Sequence, residues 1–285
     1  MKARAAAVVG EIRQWWSGPA SGVLLAGEGA SPRLSWRQWT ILVAVATVAV
    51  TAQVAWWSRP HPFQPSFGDS GLITNELLER HPDVPGVRRS DDWVLTSGSL
   101  FADDGMGYSG RPDDGQPDAL SGQANDSAVF RAVSRRRDFA DVRVRLRVRI
   151  DSLVSTARTP EQDYDGLHLF LRYRSPQELY VVSLQRRDGT VAIKRKIPGG
   201  PSNGGSYQEL AGAELPLRHE WLNVEARVRD AEDGSTRFVV RVDGQQVLSA
   251  TDASPRRLAG PGGVGLRGDN AEFHFADFIA EPIDS

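Results

Sequence analysis

The sequence predicts an all-β protein: a two-sheet antiparallel sandwich preceded by one N-terminal transmembrane helix. Three observations predict it. Gln38 to Ser58 carries no charged residue, and at about 1.5 Å per helical residue it would span roughly 31 Å, close to a bilayer's hydrocarbon thickness. From Trp93 onward, segment after segment alternates apolar and polar residues with period two. Gly-rich turns separate these segments, and no βαβ rhythm interrupts them.

Taken in order, residues 1–37 are too short and Gly-rich for a domain and read as a cytoplasmic segment. Lys2, Arg4, Arg13, Arg33 and Arg37 precede the apolar span, whereas only Arg59 closely follows it. This bias places the N-terminus inside and everything after the span outside, a single-pass type II topology at the cell membrane. Trp39 and Trp56-Trp57 flank residues 38–58 where indole rings favour the headgroup region. A cleaved export signal is the competing reading; the long N-terminal segment and the bulky Trp pair after the small-residue sites near Ala52 and Ala55 oppose it. Residues 59–71 (RPHPFQPSFGDSG) read as an extracellular stalk, and residues 72–285 as the sandwich domain. Leu72 to Arg80 fits either a short helix or a first strand.

The clearest strand is Asp141 to Ile150, where Val142, Val144, Leu146, Val148 and Ile150 alternate with four arginines. Further strands read at Gly166 to Arg174, Tyr180 to Arg186, Val191 to Lys196, Trp221 to Arg229, Arg237 to Val242, Gly263 to Arg267 and Glu272 to Ala280. Arg187 to Thr190 and Asp243-Gly244 supply hairpin turns. Asp103 to Asp126 and PGGPSNGG at 198–205 read as rim loops. The net charge of −2 shows no global field for nucleic acid, and the absence of cysteine excludes thiol catalysis and Cys-type zinc sites. A disulfide-free exported domain of this size fits a bacterial surface.

The run GLHLFLRYRSPQELYVVSLQRRDGTVAIKRK resembles the central hairpins of concanavalin A-like lectin/glucanase (laminin G-like) jelly rolls. So do WVLTSGSLFADDG, HEWLNVEARV with RFVVRVDGQQV, and GGVGLRGDNAEFHFADFIAEP. More narrowly, the chain is similar to actinobacterial membrane-anchored surface proteins with this fold. The resemblance implies a carbohydrate-binding or glycan-cleaving scaffold. It also implies a structural calcium (Ca2+), held by a final-strand Asp and carbonyls near an early Gly; the matching positions are Asp277 and Gly98. Calcium wants six to eight oxygens, so these two alone do not make a site.

Strand parity supplies candidate site residues. Leu167, Leu169, Leu171 and Tyr173 share one face of their strand, leaving His168, Phe170, Arg172 and Arg174 on the other. Gln185 and Arg187 follow outward on the next strand, and Lys194 and Lys196 on the one after. Together His168, Phe170, Arg172, Gln185, Arg187 and Lys194 would line a basic groove with an aromatic ring, a pairing that suits sugar C–H faces and hydroxyls or carboxylates. The expected function is a membrane-anchored extracellular lectin-like protein recognising a cell-envelope or capsular polysaccharide, with no catalytic residues.

The alternatives are a glycoside hydrolase or polysaccharide lyase on the same fold, and a scaffolding subunit working with a membrane glycosyltransferase or export complex. Hydrolysis calls for paired carboxylates about 5–9 Å apart; Glu161-Gln162-Asp163-Tyr164-Asp165 offers them in what reads as a loop. Gly263 to Gly268 fits G-x-G-x-x-G, but no helix follows to receive a pyrophosphate. The arginines at 143–149 read as a solvated outer face with cross-strand acids.

Overall fold

The computed structural model describes residue 36 and residues 61–112 and 126–283. The expected transmembrane helix at 38–58 and the rest of the N-terminal segment lie outside the described residues. No helix among the described residues is long and apolar enough to cross a membrane.

Two antiparallel sheets form the sandwich, with strands numbered in chain order. The eight-stranded sheet runs β1 (Ser70–Asn75), β3 (Ser99–Asp103), β4 (Met106–Tyr108), β15 (Ala271–Pro282), β6 (Val142–Leu153), β11 (Leu222–Asp230), β12 (Thr236–Val242), β13 (Gln245–Asp252). The seven-stranded sheet runs β10 (Gly205–Glu214), β9 (Thr190–Ser202), β8 (Glu178–Leu184), β7 (Gly166–Ser175), β14 (Gly263–Asp269), β5 (Val129–Ser134), β2 (Trp93–Ser97). Leu72 to Arg80 resolves into both of its readings: β1, then a one-turn helix α1 (Leu77–Arg80).

The core follows from period two. Val142, Val144, Leu146, Val148 and Ile150 of β6 are buried, opposite Leu222, Val224, Ala226 and Val228 of β11 on the same inner face. Leu167, Leu169 and Leu171 of β7 and Val182 and Leu184 of β8 meet them from the other sheet in one cluster. Each such side chain, once buried, contributes about 1.5–3 kcal/mol. The arginines of β6 face outward as expected. Arg143 and Arg145 pair with Glu281, Arg147 with Asp277 and Arg149 with Asp151, and Arg147 and Arg149 lie over the Trp221 ring.

Phe63, in the segment read as a stalk, belongs to this core. It is buried, bonds Ala280 backbone to backbone, and sits edge-on to Trp93, Phe139 and Phe278 at 5.3–6.0 Å between ring centroids. The PGGPSNGG run is not a rim loop either. β9 continues through it to Ser202, turns at Asn203 and Gly204, both with positive φ, and returns as β10.

Candidate functional site

The outer face of the seven-stranded sheet carries a groove of about 370 Å3. Cross-strand register assembles its floor. Arg131, Arg267, His168 and Ser183 stand side by side on β5, β14, β7 and β8. One step along lie Phe170, Val181 and Lys194, and beyond them Leu179, Lys196 and Tyr207 on β8, β9 and β10. Residues directly opposite in a ladder share a face, so three rows of side chains point the same way. Phe170, Val181 and Tyr207 supply its apolar surface, and Gln162 and Tyr164 also line it. Phe170 also stacks on Tyr173 at 5.6 Å within a second, smaller apolar cluster on this face.

A buried polar set fixes the floor. Arg267 grips Asp269 through Nε and Nη2 at 2.6–3.0 Å, and Ser127 Oγ donates to Asp269 Oδ1 at 3.0 Å. Burial opposes the charge on Asp269, but the Arg267 guanidinium and the His168 contact outweigh it and hold the carboxyl well below the ordinary range. His168 Nε2 lies 2.9 Å from Asp269 Oδ2 without lining up a linear hydrogen bond, and Nδ1 is 2.9 Å from Ser183 Oγ. The carboxylate makes Nε2 the protonated nitrogen, so Nδ1 accepts from Ser183. Burial pushes the His168 pKa down, with Arg267 and Lys194 adding to it, so the imidazole is neutral at pH 7. Burial also lowers Lys194, which sits 3.9 Å from Glu209, and raises the Tyr164 hydroxyl to about 12.

Three of the expected site residues, His168, Phe170 and Lys194, line this groove. Three do not. At Arg172 the backbone enters the left-handed region (φ +48°), and the register with β14 jumps from Gly265↔Phe170 to Gly263↔Tyr173. This bulge reverses the parity: Tyr173 stacks outward on Phe170, and Arg172 turns in and is wholly buried. Its guanidinium ties Asp141 (3.0 Å), Asp230 (2.8 Å) and the carbonyls of Ala140 and Leu258 (3.0 and 2.9 Å). A second positive φ at Gln185 turns its amide away, where Oε1 accepts from Arg218 N at 2.7 Å. Arg187 bonds the Val154 carbonyl and Asp165, holding a loop.

The positions implied for calcium are not brought into one ligand set. A bulge at Asp277 (φ +53°) keeps Phe275 and Phe278 both inward and leaves the Asp277 carboxylate outside beside Arg147. The Gly98 carbonyl accepts from Glu76 N at 3.0 Å. Among the described residues no group of three or more His, Asp or Glu could hold a metal ion. The residues present do not fit the implied calcium. Asp165, the last acid of the Glu161–Asp165 run, is buried and accepts from Gln162 N and Asn270 Nδ2, a structural role.

Arg131, Arg267, Asp269 and Tyr207 are absent from the sequence-derived set. Arg267 and Asp269 alternate against inward Val264 and Leu266, so parity could have found them; the glycine signature drew attention instead. Tyr207 lies on β10, which the sequence reading did not include among its strands.

No protein-family model matches the chain, and no curated protein matches it. Solved structures with a similar course include a carbohydrate-binding module from Bacillus subtilis (15% identity, 67% of this chain and 95% of that one, TM-score 0.45). Others are the potassium-bound Emp46p carbohydrate recognition domain (9%, 75% and 97%, 0.47) and a legume lectin-like domain from Entamoeba histolytica (6%, 68% and 91%, 0.44). With TM-scores below 0.5, these likenesses assign neither a family nor a ligand to this chain.

Proposed function

We propose that the chain is a carbohydrate-binding protein whose groove on the outer face of the seven-stranded sheet takes a cell-envelope or capsular polysaccharide, held near the membrane by residues 38–58. The observation that carries this reading is the groove's pairing of rings with fixed polar groups. Tyr207, 37% exposed, presents a ring at the opening, and His168, Ser183 and Lys194 stand in rows below it. Rings stack on the C–H faces of a sugar while side-chain donors and acceptors fix its hydroxyls. The neutral His168 is held by Ser183 and Asp269, so little ordering is required on binding.

Binding is favoured over hydrolysis by the state of Asp269. Among the described residues that line the groove, Asp126 and Asp269 are the acids. Asp269 is clamped by Arg267 and ionised, so it has no proton to give and no free lone pair aimed at a substrate. The tethering part of the proposal is supported by the uncharged stretch and its flanking charges.

The test is retention on polysaccharide affinity gels. Tyr207→Ala loses one stacking ring and is expected to weaken retention about tenfold, the effect of roughly 1.4 kcal/mol. Unchanged retention of Tyr207→Ala and Lys194→Ala together would remove the groove from the account.

A further inference from the structure

The groove's cationic end is unbalanced. Arg131 is 6% exposed and Lys196 2% exposed, and no described residue forms an ion pair or hydrogen bond with either side chain; the Lys196 ammonium rests over the Tyr207 ring at 4.8 Å. The one buried acid whose field reaches both, Asp269, is already occupied by Arg267 and Ser127. Taking a cation out of water without an anion is costly, and proteins normally neutralise, pair or expose such a group. Here two remain beside a third. Burial, Arg267 and Arg131 push Lys196 down to about 7, and burial and Arg267 lower Arg131.

Both cations belong to the groove's face. Arg131 is the ladder partner of Arg267, which lines the groove, and Lys196 is the partner of Tyr207, which also lines it. Lys196 lies two residues from Lys194 on β9, with the same parity. Gly205 opens its path: a Cβ there would come 2.6 Å from Lys196 Cε.

From this juxtaposition we infer that the groove seats an anionic sugar substituent, a carboxylate or sulfate, between Arg131, Lys196 and Arg267, so that its ligand is an acidic saccharide. This rests on the saccharide reading of the groove. The planar guanidinium of Arg131 can donate in parallel to two oxygens of such a group, and the Lys196 ammonium adds a point charge. The bound anion supplies the missing counter-charge, and Tyr207 stacks on the ring that carries it.

The experiment titrates the full-length chain with an oligoglucuronate and its carboxyl-reduced counterpart, then with a sulfated oligosaccharide and its desulfated form. Arg131→Gln, Lys196→Gln and Tyr207→Ala are run in parallel with thermal melts. The expected result is at least about tenfold tighter binding of the acidic member of one pair. That ratio should collapse toward one in Arg131→Gln and in Lys196→Gln, whereas Tyr207→Ala weakens both members and leaves the ratio in place. The pair that shows the ratio tells carboxylate from sulfate. Equal binding of acidic and neutral members by wild type, or a ratio that survives both charge variants, overturns the inference while leaving the groove reading intact. If no oligosaccharide binds, inorganic sulfate decides. Sulfate raising the melting temperature of wild type but not of Arg131→Gln keeps the anion site and sinks the saccharide reading, whereas no response to sulfate sinks both.

Discussion

Arg172→Met tests the most consequential parity break in the structure. The native guanidinium is fully buried and makes ion pairs with Asp141 and Asp230 plus two bonds to main-chain carbonyls. Burial works against the charge on Asp230. The Arg172 hydrogen bond, joined by Thr236 Oγ1 and Gly260 N, outweighs it and holds the carboxyl below its ordinary value. Removing one partner of a buried pair typically costs about 3–5 kcal/mol, because the remaining charge loses its compensation. Asp141 and Asp230 are each about a third exposed or less, so water recovers part of this and about 2–4 kcal/mol is expected. For a domain of this size that lowers Tm by roughly 4–16 °C. The assay is thermal and urea unfolding beside saccharide affinity at a temperature where both proteins are folded. A Tm within 2 °C of wild type, or lost affinity in a folded variant, would refute the structural role given to Arg172.

Two other outcomes are expected. Lys196 faces Arg131, Arg267, Asp269 and Tyr207, and its folded pKa of about 7 lies below the ordinary 10.5. Below pH 7 both folded and unfolded chains carry this proton and the destabilisation is complete; it is relieved as pH rises from about 7 to 10.5. Lys196→Met should therefore raise Tm at pH 6 and have a diminishing effect by pH 10, and an equal effect at both would contradict the reasoning. Because the chain has no cysteine, single replacements report topology: Ser249→Cys should react with an impermeant maleimide on intact cells, and Ser35→Cys only after permeabilisation. The reverse pattern would invert the proposed orientation, and labelling of neither on intact cells would place the domain inside.

The sequence exposes those parts of the fold where strict alternation runs unbroken. β6 is the clearest, since four arginines against five aliphatics admit one arrangement, and the structure keeps it. Parity fails where a non-glycine residue takes a positive φ. Arg172, Gln185 and Asp277 each do so, and each reverses the face of the next residues in its strand or turns its own side chain away. Nothing in their identity announces a bulge, because register with the neighbouring strand decides it. Composition misled at two places. Proline and glycine concealed the β9–β10 hairpin, and with it Tyr207; they also made a stalk of the segment that sends Phe63 into the core. For the site, His168, Phe170 and Lys194 were legible because their strands are regular at those positions. Lys196 was legible as an outward neighbour of Lys194, whereas Arg131 was not; the lack of a counter-charge beside either is a property of three dimensions.

The proposed ligand site is the outer face of the seven-stranded sheet. The most direct test is a map of backbone amide shifts in the full-length chain on adding oligosaccharides released from the producing organism's envelope. The largest shifts are expected together on His168, Ser183, Lys194, Lys196 and Tyr207. Shifts gathered instead on Arg145, Arg147 and Arg241, across the opposite sheet, would contradict it.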